Sequence, residues 1–364
     1  MCARGPLWEP IVSRRKLVVR TVERLHCAFS SCSGVTSVAR VMTRVLLGLL
    51  APLLISTCQG AELTIYDNRE NRNVVGQVKE NDSTSTVGKS PERPSIPNNQ
   101  VYNEDKAKRL AWLSSVAYCT ESSITRWSCG PCQLYYATNV SYFYDSKTTT
   151  QAFLARLPDG TPSGGDLVLS FRGTVTVTDW WLDFHATLVA PYVDCPSCKV
   201  EHGFHTKWAA VREQVMGAVL RLMAAYPQAR LLVTGHSLGA SLSVLAAVDL
   251  VRSARARVDS VINFGSPRTG NEEFRQYYHG GPTSAITTWR VTHWKDPVPH
   301  VPFESSEYSH VSTEVWYNED SSSYTVCDAT GEDNLCSNSA GPDSYLYVDD
   351  HDTYIGVPID NPKC

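Results

Sequence analysis

Residues 231–240, LLVTGHSLGA, decide how this chain is read. A short apolar, β-branched run breaks into Gly-His-Ser-Leu-Gly at 235–239 and continues as SLSVLAAVDLV, a stretch of helical character. The pattern predicts a strand, a sharp turn and a helix, with Ser237 on the turn. In such a nucleophile elbow, Gly235 and Gly239 leave room for close backbone approach and the serine Oγ stands free. The flanking strand and helix are the context that separates this motif from a chance G-x-S-x-G.

Around the elbow, apolar runs at Leu134 to Tyr144, Gln151 to Leu157, Asp166 to Phe171, Val258 to Phe264 and Ile286 to Thr292 read as strands. Leu110, Leu113 and Ala117 mark an amphipathic helix. Trp208, Val211, Val215, Ala218 and Leu222 form a second helical stripe that stops at Pro227. Alternation of strand and helix predicts an α/β fold with a mostly parallel or mixed central sheet covered by helices. One domain over residues 100–364 is the economical organisation. Before it, Glu62 to Asn99 is polar and closes with PERPSIPNN, so 61–99 reads as a linker or pro-segment.

Met42-Thr-Arg followed by VLLGLLAPLLIS reads as a secretory signal peptide over 42–60, too short in its apolar core to span a bilayer comfortably. Residues 1–41 are Arg-rich and acid-poor. Translation is read as starting at Met42, with 1–41 a mis-assigned upstream extension; a long n-region or an organellar transit segment are the alternatives. The chain of 364 residues has a formal charge of −4, but residues 1–60 hold eight Lys/Arg against two acids. The remainder carries 25 basic and 35 acidic residues, and an acidic body without a basic stripe argues against nucleic acid as a partner. Eight of the twelve cysteines follow residue 60: Cys119, Cys129, Cys132, Cys195, Cys198, Cys327, Cys336 and Cys364. The even count fits pairing into four disulfides in a secreted, extracellular protein. Asn81-Asp-Ser and Asn139-Val-Ser are glycosylation acceptor motifs.

A serine hydroxyl is a weak nucleophile until an imidazole takes its proton, and that imidazole needs a carboxylate to fix its tautomer. Asp296, in ITTWRVTHWKDPVPHVP, sits where a strand runs out into a proline-bounded loop. Asp249 lies inside the elbow helix, and Asp259 opens a strand rather than closing one. Of the five histidines after Ser237, namely His279, His293, His300, His310 and His351, only His351 combines a late position with a loop-like setting, DDHDTYIG. His310 sits in a strand-like alternation and reads as structural. His293 and His300 are too near Asp296 for spacing alone to dismiss them, and His236 should point away from the nucleophile. Two oxyanion donors are needed where charge develops. The Leu238 N–H supplies one, and LVLSFRGT offers Thr174 just past a strand for the other.

The segments AYC, CGPC, FRGT, DWWLDF, VEHGF, VTGHSLGAS, KDPVPHVP, SHVSTEVWY, CSNS and DHDTYIG together resemble the secreted class 3 lipases of fungi, the Rhizomucor type, over nearly all of 100–364. The resemblance implies an α/β-hydrolase-type fold with a helical lid, Ser237, Asp296 and His351 as a triad, and Thr174 and Leu238 as oxyanion donors. It implies the pairs Cys119 with Cys364, Cys129 with Cys132, and Cys327 with Cys336; Cys195 and Cys198 have no counterpart. It also places the lid just after the oxyanion residue, in VTVTDWWLDFHATLVAP. There Trp181, Phe184 and Leu188 share a helical face with Trp180 and Leu182 beside them, and Asp179 and Asp183 lie on a polar one. The expectation is a triacylglycerol lipase acting on lipid or ester substrate at an oil–water interface, monomeric, without cofactor, metal or transmembrane anchor in its mature form. A feruloyl or other carboxylesterase of the same fold is the chief alternative. Less favoured are an inactive binding protein, a thiol-redox protein read from WSCGPC, and a zinc site read from the two C-x-x-C pairs, whose spacing is too long for a ribbon.

Overall fold

The computed structural model describes residues 100–174, 187–302, 307–340 and 347–364. The upstream extension, signal peptide and linker read at 1–41, 42–60 and 61–99 lie outside them, as do Trp180, Trp181, Leu182 and Phe184 of the expected lid.

Eight strands form one sheet: β1 (Thr138–Asp145), β2 (Thr150–Leu157), β3 (Asp166–Phe171), β6 (Arg230–Gly235), β7 (Val258–Phe264), β8 (Thr287–His293), β9 (Glu314–Tyr317) and β10 (Tyr324–Val326), lying side by side in that order. From β3 to β9 neighbouring strands run parallel, whereas the pairs β1–β2, β2–β3 and β9–β10 are antiparallel. This mixed, mainly parallel sheet is the one the alternation predicted.

Its apolar runs are long because both faces are covered. Along β2, Ala152 and Leu154 point into one core with Leu167, Leu169 and Phe171 of β3, while Phe153, Ala155 and Leu157 point into the other. The first core is closed by α3 (His202–Ala225), α4 (Leu238–Arg252) and α5 (Glu272–His279). The second is closed by α1 (Glu104–Val116), whose Ala107, Leu110, Ala111 and Leu113 are fully buried, and by the C-terminal Tyr354 to Ile359. Caps fix where these helices start: Asn103 accepts the Lys106 N–H at 2.7 Å, Glu201 the Phe204 N–H at 2.7 Å and Asn271 the Phe274 N–H at 3.0 Å.

Three sequence expectations are corrected locally. The first strand begins at Thr138, because Pro131 to Leu134 form a 3₁₀ turn beside the short Cys129–Cys132 loop. His310 is not in a strand, since β9 starts only at Glu314. Leu188 lies in β4 (Leu188–Val189), paired with β5 (Val200–Glu201), so the expected helical face of the lid does not extend to it. The C-terminal β11 (Thr353–Tyr354) and β12 (Val357–Pro358) form a small hairpin. Among the described residues no helix is long and apolar enough to cross a membrane. Asn139 is exposed on β1, its side chain accepting a hydrogen bond from Tyr226 at 2.9 Å.

Cysteine pairs close at Cys119–Cys364, Cys129–Cys132, Cys195–Cys198 and Cys327–Cys336. Both C-x-x-C motifs are thus joined within themselves.

Candidate active site

Strand β6 ends at Gly235 and helix α4 starts at Leu238, leaving His236 and Ser237 to make the turn. Ser237 has φ 58° and ψ −131°, in the left-handed region that non-glycine residues adopt at a cost of about 1–3 kcal/mol. That strain fits a fixed, forward-pointing hydroxyl. A Cβ on Gly235 would lie 2.2 Å from the Gly239 carbonyl oxygen, and one on Gly239 would lie 2.3 Å from that of Phe171, so both glycines are required by contact.

Parallel strands deliver the other groups to the same edge of the sheet. Asp296 follows β8, and its carboxylate is buried. His351 Nδ1 lies 2.8 Å from Asp296 Oδ2, Val298 N–H donates to Oδ1 at 2.8 Å, and the Tyr354 hydroxyl donates to Oδ2. Burial alone would raise the Asp296 pKa, but His351, Tyr354 and Val298 together hold it below the ordinary carboxylate value. Since an ionised carboxylate accepts only, His351 carries its proton on Nδ1 and presents Nε2 as a base. Among the described residues, the Ser237 hydroxyl and His351 Nε2 are both buried without a hydrogen-bond partner.

Thr174 stands three residues beyond the end of β3, half-buried. The preceding Gly173 presses on the elbow so closely that a Cβ there would lie 2.7 Å from the His236 carbonyl oxygen and 2.9 Å from Ser237 Cβ. Leu238 is the first residue of α4, so its N–H belongs to the unpaired helix start beside Ser237.

The remaining sequence candidates are engaged elsewhere. Asp249 accepts from Trp208 Nε1 at 2.8 Å and Arg212 Nε at 2.6 Å. Asp259 pairs with Lys106 at 3.0 Å. His293 has both ring nitrogens against backbone carbonyls, those of Asp350 at 2.9 Å and Glu319 at 3.0 Å. His310 Nε2 lies 2.7 Å from the Pro299 carbonyl, and burial pushes its pKa well below the usual imidazole value. His279 accepts the Ser312 N–H at 2.9 Å, and burial lowers its pKa to about 4. His300, lowered by burial and lying just past Asp296, is the exception, with Nε2 unpaired among the described residues.

Sequence reasoning missed two tyrosines and the partners of one histidine. Tyr354 donates to Asp296, and Tyr118 donates toward His236 Nδ1 at 2.7 Å. His236 Nε2 lies 2.8 Å from the His351 carbonyl oxygen. The signal was present, since AYC and DHDTYIG were among the segments that carried the resemblance.

A lipase (class 3) family model matches residues 168–306, which run from β3 through Ser237 to Asp296. The secreted mono- and diacylglycerol lipase A of Penicillium cyclopium is 36% identical over 177 residues, 49% of this chain and 55% of that protein. A lipase of Rhizopus niveus is 28% identical over 259 residues, 68% of this chain and 62% of that one. Among solved structures, a lipase from Rhizopus microsporus var. chinensis matches with a TM-score of 0.63 at 28% identity, covering 76% of this chain and 99% of that chain. The chain thus spans between half and two thirds of the length of these two curated relatives. The matched segment carries Thr174, Ser237 and Asp296, and over it the chain is similar to the class 3 lipases.

Proposed function

We propose that this protein is a secreted serine hydrolase that cleaves carboxylic esters of acylglycerols at lipid–water interfaces. The observations that carry the reading are the buried Asp296–His351 pair and a serine held at positive φ at the head of a helix. Ser237 Oγ attacks the ester carbonyl carbon while its proton passes to His351 Nε2, and the oxygen takes up negative charge against Thr174 and the Leu238 N–H. The C–O bond to the alcohol then breaks, the alcohol leaving with the proton held by His351. Water attacks the acyl-Ser237 by the same route in reverse, its proton going to Nε2 and then back to Ser237. Asp296 stays ionised throughout and stabilises the imidazolium.

The acylglycerol reading rests on the relatives and on the segment 175–191, whose Trp180, Trp181, Leu182, Phe184 and Leu188 give an apolar flank next to Thr174. Secretion is supported by the signal-like segment 42–60, by the four disulfides and by the secreted Penicillium relative. The test is a side-by-side assay of an emulsified long-chain triglyceride, a dissolved short-chain ester and a feruloyl ester. Preference for the emulsion is expected; preference for the feruloyl ester would replace the substrate assignment by a feruloyl esterase.

A further inference from the structure

Three loops must keep register for acyl transfer: the elbow, the oxyanion loop and the base loop. One chain of contacts joins them. His236 Nε2 lies 2.8 Å from the His351 carbonyl oxygen, which can only accept, so Nε2 carries the proton. Burial pushes this histidine well below the ordinary imidazole pKa, and the ring is neutral. Nδ1 therefore presents a lone pair, and the Tyr118 hydroxyl 2.7 Å away donates to it. The Tyr118 oxygen in turn sits against Gly173, so closely that a Cβ there would lie 2.3 Å from it.

The ends of this chain are informative. Gly173 precedes Thr174, His236 precedes Ser237, and the carbonyl reached at the far end belongs to His351 itself. The His236 and His351 rings pack with centroids 4.4 Å apart. A fully buried imidazole is costly to desolvate, and an apolar side chain would fill the same space without needing partners. Its two partners are instead the base's own backbone and a hydroxyl packed against the oxyanion loop.

We propose that Tyr118 and His236 form a strut that fixes His351 and the oxyanion loop relative to Ser237, acting as positioning residues for ester hydrolysis. This rests on the hydrolase reading, and it assigns to His236 a task beyond filling the elbow.

The test uses the full secreted chain with Tyr118→Phe, His236→Leu and His236→Gln, assayed on a dissolved p-nitrophenyl ester and by the rate of Ser237 labelling with a fluorophosphonate. Wild-type turnover and labelling come first; if neither occurs, it is the hydrolase reading that fails. Given both, His236→Leu should lower kcat about 100-fold with KM nearly unchanged, the cost of a misplaced base. Tyr118→Phe should lower kcat about tenfold, the loss of one hydrogen bond. Labelling rates should fall in parallel. His236→Gln, whose amide N–H can still reach the His351 carbonyl, should recover most of the kcat, and the Tyr118→Phe, His236→Leu double variant should be no worse than His236→Leu alone. Wild-type kcat in Tyr118→Phe, or equal losses in the Gln and Leu variants, would overturn the strut and leave His236 a packing residue.

Discussion

His351 Nδ1 and Asp296 Oδ2 stand 2.8 Å apart in a pair almost sealed from solvent, Asp296 being 2% and His351 0% exposed. In that setting the carboxylate fixes the tautomer, so Asp296→Asn should leave the fold intact but drop kcat by about 10⁴. Asp249→Asn is the matched control. It disturbs the partners Trp208 and Arg212 on the far side of the elbow helix, and should lower the melting temperature while sparing kcat. The reverse pattern would make Asp249 the acid.

Gly173→Ala should damage catalysis more than its one added methyl suggests. The new Cβ would lie 2.3 Å from the Tyr118 oxygen and 2.7 Å from the His236 carbonyl, one of them backbone, so the loop bearing Thr174 must shift. Misplacing an oxyanion donor costs about 10²–10³ in kcat. A kcat within a few-fold of wild type would show that Thr174 is not such a donor.

Residues 231–240 were legible because strand, turn and helix are all local. The Asp296–His351 pair was legible because each residue ends an element, Asp296 after β8 and His351 in a short turn before β11. What failed was local pattern overruled by distant contact. Leu134 and Tyr135 look like strand but follow the Cys129–Cys132 link, and His310 shows strand-like alternation but is held in a loop by the Pro299 carbonyl and by Glu332, which accepts its backbone N–H at 3.0 Å. Tyr118 meets His236 across a sequence separation of 118, which no periodicity reveals.

The Cys119–Cys364 bond joins residues 245 apart and ties the C-terminal segment to the end of α1. In the chain-entropy model a loop of that length contributes about 5 kcal/mol, so Cys364→Ser should lower the melting temperature by about 10 °C or more. Removing the short Cys129–Cys132 loop should cost much less. Calorimetry of both variants checks the order, and equal effects would show that loop length is not the deciding factor.

In mild acid the buried histidines should each contribute a loss of stability, against which Asp352, raised to about 6 by its burial, works in the opposite sense. His279 has a folded pKa of about 4 and an unfolded value near 6.5, because burial disfavours its charge and Nε2 accepts the Ser312 N–H. The unfolded chain therefore binds more protons across that window, and stability is lost as pH falls from about 6.5 toward 4. His310 and His236, both depressed by burial, act in the same sense. Glu332, held low by His310 and Arg268 despite its burial, adds a loss only in stronger acid. His279→Gln should flatten the melting-temperature profile between pH 6.5 and 4; an unchanged slope would remove His279 from this account.

If the segment after Thr174 meets lipid, activity on a triglyceride should rise steeply once substrate exceeds its solubility. Trp181→Ser should then reduce hydrolysis of the emulsion far more than that of a dissolved short ester. Equal losses on both, or a plain hyperbola through the solubility limit, would make the segment a fixed wall.

The central claim is that Ser237 is the nucleophile of an ester hydrolase, and covalent trapping tests it most directly. Wild-type protein is treated with a fluorophosphonate, digested and mapped by mass spectrometry, with ester hydrolysis followed in parallel. A single adduct on Ser237 is expected, with loss of activity in step with labelling, and neither adduct nor turnover in Ser237→Ala. An adduct on another residue, or hydrolysis that survives in Ser237→Ala, would contradict it.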